Sequence, residues 1–202
     1  MAVLSKTAAY TVATTDGTNV LVKCSGSTAA FTVTLYTAVG NTGNQVTIKK
    51  TKMTFHVMNT HLESLDTNWK NRQIQLEAIE QILEQEKIEN FILCGDFNIC
   101  HDNEPAENQI KNSKYHDAWI EMGSPQSLKY TYDCENNPYI NIKTKFRSRL
   151  DRILYRFNNN TTDRNLVVIT KLKLLGIKEP FPSDHFGVLA EFLIKTGRKV
   201  NV

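Results

Sequence analysis

The sequence predicts an α+β fold of layered sheets, preceded by a short all-β segment. Three observations carry that expectation. The composition breaks near Thr51: residues 1–50 hold 11 Thr, four bases, one acid and no Glu, whereas residues 51–202 hold 20 bases and 20 acids. From Lys52 onward, short apolar or β-branched runs alternate with a long helical pattern, an order that suits sheets covered by helices. The length of 202 residues is enough for one ordinary core and a small second one. The expected division is therefore a Thr-rich β-segment over residues 1–50 and a main domain over residues 51–202.

Composition narrows the class further. With 41% hydrophobic and 22% charged residues, the chain is not collagen-like, coiled-coil or disordered. No apolar run approaches the roughly 18–20 residues of a membrane helix, so no membrane partner is expected. The opening MAVLSKTAAYTVATT has no signal-peptide stretch, which points to an intracellular location in cytoplasm or nucleus. A net charge of +3 is too small to argue nucleic-acid binding by itself. Cys24, Cys94, Cys100 and Cys134 form no CxxC pair and no zinc spacing, so free thiols are expected.

The elements follow in order. Residues 10–22 read as two β-rich runs about the turn dipeptide Asp16-Gly17. Phe31, Val33 and Leu35 alternate with Thr32, Thr34 and Tyr36, the period of a half-buried strand, and QVTIKK reads as another. TFHVMNTHL is a strand that runs into a polar tip. LDTNWKNRQIQLEAIEQILEQEK is an amphipathic helix: Trp69, Gln73, Leu76, Ile79 and Leu83 fall at helical spacing, and Ile82 widens the stripe. Asp66 or Thr67 is the expected cap. NFILC is a short apolar strand ending at Gly95-Asp96, and HDAWIEM a short helix. RLDRILYRF, LVVITKLKLLG and HFGVLAEFLI are three more strands.

Four polar clusters sit at strand ends: Asn59-Thr60-His61, Gly95-Asp96-Phe97-Asn98, Arg149-Leu150-Asp151-Arg152 and Ser183-Asp184-His185. Asp96 and Asn98 flank an aromatic and, in an extended segment, point to one side. A carboxylate and an amide so placed hold a water and a phosphate oxygen together. Asp184-His185 sets a carboxylate beside an imidazole that serves an anionic oxygen near neutral pH. His61 adds a second imidazole. This is a toolkit for water attack on phosphorus, usually with Mg²⁺ on the oxygens. Taken singly, each residue has a plainer reading. His61 fits a hydrogen-bonded structural histidine, Asp96 a turn, Asp184 a cap, and Asp151 a buried carboxylate tying strands together.

The ordered set resembles the endonuclease/exonuclease/phosphatase superfamily, in particular its branch that releases tyrosyl adducts from 5′ ends of DNA. The carrying stretches are VMNTHLES, FILCGDFN, YTYD, FRSRLDRILYR and LKLLGIKEPFPSDHFGVL, between about residues 53 and 194. The resemblance implies part of a four-layer α/β/β/α sandwich and Mg²⁺-dependent phosphodiester hydrolysis, with Mn²⁺ as a substitute. It implies that Asp96 orients or deprotonates the water, that Asn98 binds the phosphate, and that His185 stabilises the transition state. His61 would bond a phosphate oxygen, and Asp151 would orient its neighbours. Asn59 and Tyr132 would contact substrate, and Asp184 with Asp96 would serve the metal. The implied partner is nucleic acid or another phosphodiester.

The family pattern is incomplete here. Its TWN-like and LQE-like motifs, the latter bearing the main metal Glu, have no counterpart before Asn59, and Cys100 stands where the tyrosyl-DNA branch carries Arg. Half a sandwich exposes a sheet face, so a second copy, a complementing chain or residues 1–50 would cover it. TVTLYTAVGNTGNQVTIKK in turn resembles a β-module of phage tail-fibre proteins. The alternative function is therefore a catalytically impaired, virion-associated structural or binding protein built from a tail-like segment and half a nuclease domain.

Overall fold

The computed structural model describes residues 10–13, 19–24, 44–48, 53–140, 144–158, 165–178, 181 and 183–196. The expected strand at Phe31–Val33–Leu35 and the Asp16-Gly17 turn lie outside these residues. Strands β1 (Tyr10–Ala13), β2 (Asn19–Cys24), β3 (Asn44–Ile48) and β4 (Met53–His61) come first. Helix α1 (Trp69–Gln85), strand β5 (Phe91–Asp96) and helix α2 (Pro105–Asn112) follow. Next are β6 (His116–Asp117), α3 (Ala118–Glu121), β7 (Tyr132–Asp133) and β8 (Arg147–Ser148). The last strands are β9 (Asp151–Arg156), β10 (Asn165–Leu175) and β11 (Gly187–Thr196).

Two larger sheets result, in the orders β1-β2-β11-β10 and β3-β4-β5-β9-β6, with β7-β8 as a small ribbon. The described strands of the first 50 residues enter both sheets. β2 pairs in parallel with β11, and β3 pairs antiparallel with β4. The expected α+β layering is present.

Strand β5 shows why this sequence makes layers. It is buried throughout, and successive side chains point to opposite faces. Ile92 and Cys94 face the four-stranded sheet, in one core with Ile153, Val188, Ala190 and Phe192. Phe91 and Leu93 face the helices, in a second core with Leu76, Leu83, Ile110 and Leu154. Each buried Ile, Leu, Val or Phe among them contributes about 1.5–3 kcal/mol of transfer free energy. A one-residue slip of β5 would exchange its two faces. Burial also pushes the Cys94 thiol up to about 12, so it is an inert packing residue. Cys94, Cys100 and Cys134 are free thiols.

Two local expectations need correction. Neither Asp66 nor Thr67 caps the long helix. Residues Asp66–Asn68 form a 3₁₀ turn, and α1 starts at Trp69 with no side-chain cap bond. The fully buried Arg72 takes over: its guanidinium donates to the carbonyls of Glu63 at 3.0 Å, Leu65 at 2.6 Å and Asp66 at 3.4 Å. The buried stripe is accordingly Arg72, Leu76 and Leu83, while Trp69 and Gln73 are half-buried. HDAWIEM is part strand. His116 and Asp117 pair with Tyr155 and Leu154, and only Ala118–Glu121 is helical. Asp117 caps that turn, accepting from the Trp119 N–H at 2.9 Å.

Candidate active site

Register builds the site. β4 and β5 run parallel with His61 opposite Asp96, and β5 and β9 run antiparallel with Asp96 opposite Asp151. Three polar residues thus stand in a row across adjacent strand ends. A bridge between Tyr132 and His185 brings in the fourth. His185 Nδ1–H donates to Asp151 Oδ2 at 2.8 Å. His61 Nε2 lies 3.6 Å from Asp96 Oδ2.

Two backbone features aim Asp96 and Asn98. Gly95 has φ +138°, and a Cβ there would stand 1.9 Å from the Thr60 carbonyl oxygen. Only glycine lets β5 approach β4 this closely. Asn98 adopts φ +50°, a left-handed conformation that Asn tolerates. Its N–H donates to Asp96 Oδ1 at 2.8 Å, and its Nδ2 donates to the Leu62 carbonyl at 2.8 Å. Asp96 and Asn98 therefore act as one rigid turn.

Thr131 fixes the other half. Its Oγ1 accepts from the Leu150 N–H at 3.0 Å and the Asp151 N–H at 2.9 Å. Its carbonyl accepts from the Phe186 N–H at 2.7 Å. The Tyr132 ring then packs edge-on against the His185 ring, with centroids 5.0 Å apart.

The electrostatics follow from burial and proximity. Asp96 and Asp151 are each only 5% exposed. Burial, then the Asp151 charge, raises the Asp96 carboxyl, while the Asn98 N–H and the two histidines pull it partway back. Burial alone would lower His185, but its hydrogen bond to Asp151 and the charges of Asp151, Asp96 and Asp184 outweigh this and push it up to about 9. His185 is thus an imidazolium at neutral pH, held by one nitrogen and free to donate from the other.

Asp96, Asp151 and His185 offer ligand atoms all within 4.8 Å of one another. Asp151 Oδ1 is buried and has no hydrogen-bond partner among the described residues. An orphaned carboxylate oxygen beside a second carboxylate is what a divalent cation answers, so Asp96 and Asp151 fit a metal, with the His185 ring hydrogen-bonded to Asp151 beside them. Asp184 stands outside that cluster: it is exposed and accepts from the Ser183 hydroxyl at 3.1 Å. Asn59 is exposed as well, with its Oδ1 over Gly95.

Sequence reasoning missed the second ring of support. Thr131 gave no signal beyond its place in the quoted YTYD. Nor did the pair Arg72–Glu104, in which Arg72 Nε and Nη2 donate to Glu104 Oε2 at 3.0 and 2.8 Å. Glu104 Oε1 in turn accepts from the Cys100 N–H at 2.7 Å, two residues beyond Asn98.

The chain belongs to the Endonuclease/Exonuclease/phosphatase family, whose model matches residues 1–185. Tyrosyl-DNA phosphodiesterase 2 of Gallus gallus is 28% identical over 140 residues, covering 67% of this chain and 37% of the relative. The Xenopus laevis protein of that name is 31% identical over 141 residues, again 67% of this chain and 37% of the relative. The chain thus spans little more than a third of the length of these relatives. Among solved structures, D. rerio TDP2 complexed with single strand DNA product matches at a TM-score of 0.62 with 27% identity, over 72% of this chain and 58% of that one. The human Nocturnin catalytic domain with bound sulfate anion shares the fold at a TM-score of 0.51 with 21% identity, over 76% of this chain and 52% of that one.

Proposed function

We propose that the chain is a metal-dependent phosphodiesterase using Mg²⁺, with Mn²⁺ as a substitute, and that its substrate is a 5′ tyrosyl–DNA adduct. The reading is carried by the close Asp96–Asp151–His185 cluster with its orphaned carboxylate oxygen. Similarity to the tyrosyl-DNA phosphodiesterases supplies the substrate class.

Each residue has a part that its chemistry allows. Asp96, its carboxyl raised by burial and by the Asp151 charge, orients the attacking water and accepts its proton. His185, charged and aligned by Asp151, donates from its free nitrogen to the phosphoryl oxygen that gains charge. His61 donates to a second phosphate oxygen. Asn98 holds the turn through its two hydrogen bonds and offers its side-chain amide to the phosphate. Tyr132 stacks on the substrate beside His185, a contact worth roughly 1–3 kcal/mol per base. Asp96 and Asp151 would hold the Mg²⁺, which when bound would supply Lewis-acid neutralisation of the phosphate.

The test is a 5′-phosphotyrosyl oligonucleotide incubated with Mg²⁺ and the chain, with Asp96→Ala and His185→Ala alongside. Metal-dependent release of tyrosine, lost in both variants, is expected. Absence of turnover, or turnover indifferent to both substitutions, refutes the proposal.

A further inference from the structure

Behind the catalytic cluster lies a closed ring of four buried charges. Glu107 and Arg152 are each 3% exposed, Asp117 5% and Arg149 7%. Arg149 Nη1 donates to Asp117 Oδ1 at 3.0 Å and to Oδ2 at 2.7 Å. Arg152 Nη1 lies 2.5 Å from Glu107 Oε2 and 3.9 Å from Asp117 Oδ2. Arg149 Nη2 lies 4.0 Å from Glu107 Oε1, which closes the ring. Two acids and two bases cancel, so the ring carries no net charge.

The ring joins three elements and brackets Asp151. Glu107 belongs to α2, and Asp117 stands where β6 meets α3. Arg149 precedes Asp151 by two residues, and Arg152 follows it directly. The Arg149 guanidinium also lies over the Trp119 ring, its carbon 4.7 Å from the centroid. Asp117, Arg149, Asp151 and Arg152 line one cavity of about 10 Å³. At that size the space holds about one water, so solvent screens these pairs little.

Stability does not account for such a ring. A buried ion pair gains little over apolar residues of the same bulk, because its attraction mostly offsets desolvation. What it adds is direction. Apolar burial is non-directional: Ile153 and Leu154 hold β9 in its layer and leave its place along the strand axis open. A guanidinium held by both oxygens of one carboxylate and stacked on an aromatic ring has a single place. Asp151 needs that constraint. Its Oδ2 accepts from His185 Nδ1–H at 2.8 Å, and it shares the cluster with Asp96. A reacting constellation tolerates about 0.5 Å of misplacement.

We propose that the ring is a positioning device for Asp151, with Arg149 as its working member. Arg149 acts through Asp151: it ties the entrance of β9 to the corner at Asp117 and Trp119, and Asp151 in turn sets the His185 ring. The role rests on the phosphodiesterase reading for the reaction that it serves.

The His185 Nδ1–H proton tests this without turnover. In protein labelled with ¹⁵N-histidine and kept in EDTA, its hydrogen bond to Asp151 gives a downfield proton resonance, identified by its loss in His185→Gln. Arg149→Met with Asp117→Asn removes both charges, and Asn retains the cap on α3. This double variant should melt close to the parent, while the resonance moves upfield or is lost to exchange. Arg149→Lys keeps a cation for Asp117 and loses the fork and the stack, so a partial upfield shift is expected. Arg156→Met removes the bonds to the Ile88 and Glu89 carbonyls at the other end of β9. It should lower the melting temperature and leave the resonance in place. With the phosphotyrosyl oligonucleotide, the double variant should lose up to about 100-fold in kcat with KM little changed. A resonance at the parent position in the folded Arg149 variants overturns the proposal. So does an unchanged kcat in the double variant of an active parent, loss of the resonance in Arg156→Met, or its absence from the parent. A parent that shows the resonance and releases no tyrosine sinks the catalytic reading and leaves the positioning role to be decided by the resonance.

Discussion

Removing the Arg72 guanidinium should cost more stability than any surface change in this chain. Arg72 is fully buried and makes five hydrogen bonds, two to Glu104 and three to backbone carbonyls of the turn before α1. Arg72→Met keeps much of the bulk and deletes the charge. It strands Glu104, itself only 6% exposed, as an unpaired buried carboxylate. Breaking such a pair from one side costs about 3–5 kcal/mol, against a typical total near 5–15 kcal/mol for a domain. For a chain of this size, each kcal/mol moves Tm by roughly 2–4 °C, so a loss of about 6–20 °C is expected. Urea denaturation followed by far-UV circular dichroism measures it. Arg72→Met combined with Glu104→Gln removes both charges and should recover a substantial part, because the carboxylate is no longer stranded. A single substitution costing under about 1 kcal/mol refutes the reasoning, as does a double variant as unstable as the sum of the singles.

Two more predictions concern the site. His185 sits above its ordinary value of 6.5, at about 9. The stabilisation it provides is therefore fully present below pH 6.5 and lost as pH rises through 9, worth roughly 3 kcal/mol before the opposing cost at Asp96 is subtracted. Urea denaturation in EDTA between pH 6 and pH 10 should show this decline in the parent and a flatter profile in Asp151→Asn; identical profiles would remove Asp151 as the cause. Gly95→Ala should destabilise by several kcal/mol, since its Cβ would meet the Thr60 carbonyl at 1.9 Å in a φ of +138°. A variant melting within a degree or two of the parent would show that β4 and β5 part more easily than their register implies.

The central strand was legible because its physics is local. FILC is apolar throughout and ends at a glycine, and the structure buries every residue of β5. Asp96, Asp151 and His185 were legible as polar strand-end residues, and the structure brings their ligand atoms within 4.8 Å of one another, while Asp184, expected at the metal, stands outside that cluster. Asp151 also satisfies its plainer reading, since it is buried and ties β9 to the segment before β11. What stayed hidden is long-range and polar. Arg72 and Glu104 are 32 residues apart, and Arg149 and Asp117 equally so. In the sequence such residues read as solvated faces, because nothing local marks a buried partner. Helix α2 escaped notice because Ala106 and Ile110 are its only buried apolar residues. The N-terminal cap was misplaced because a guanidinium, and not a hydroxyl or carboxylate, satisfies the turn.

The Thr131 hydroxyl has a consequence for how this site fails. One oxygen receives the backbone of β9, and the carbonyl of the same residue receives the segment that carries His185. Three stretches distant in sequence are thus pinned at one fully buried residue. Thr131→Val would preserve the shape and orphan two buried N–H groups at once. Transplanting Asp96, Asp151 and His185 onto another sheet would carry over the reactive atoms without the pin that sets their spacing. The working unit of this site is a knot of backbone, with the reactive side chains as its loose ends.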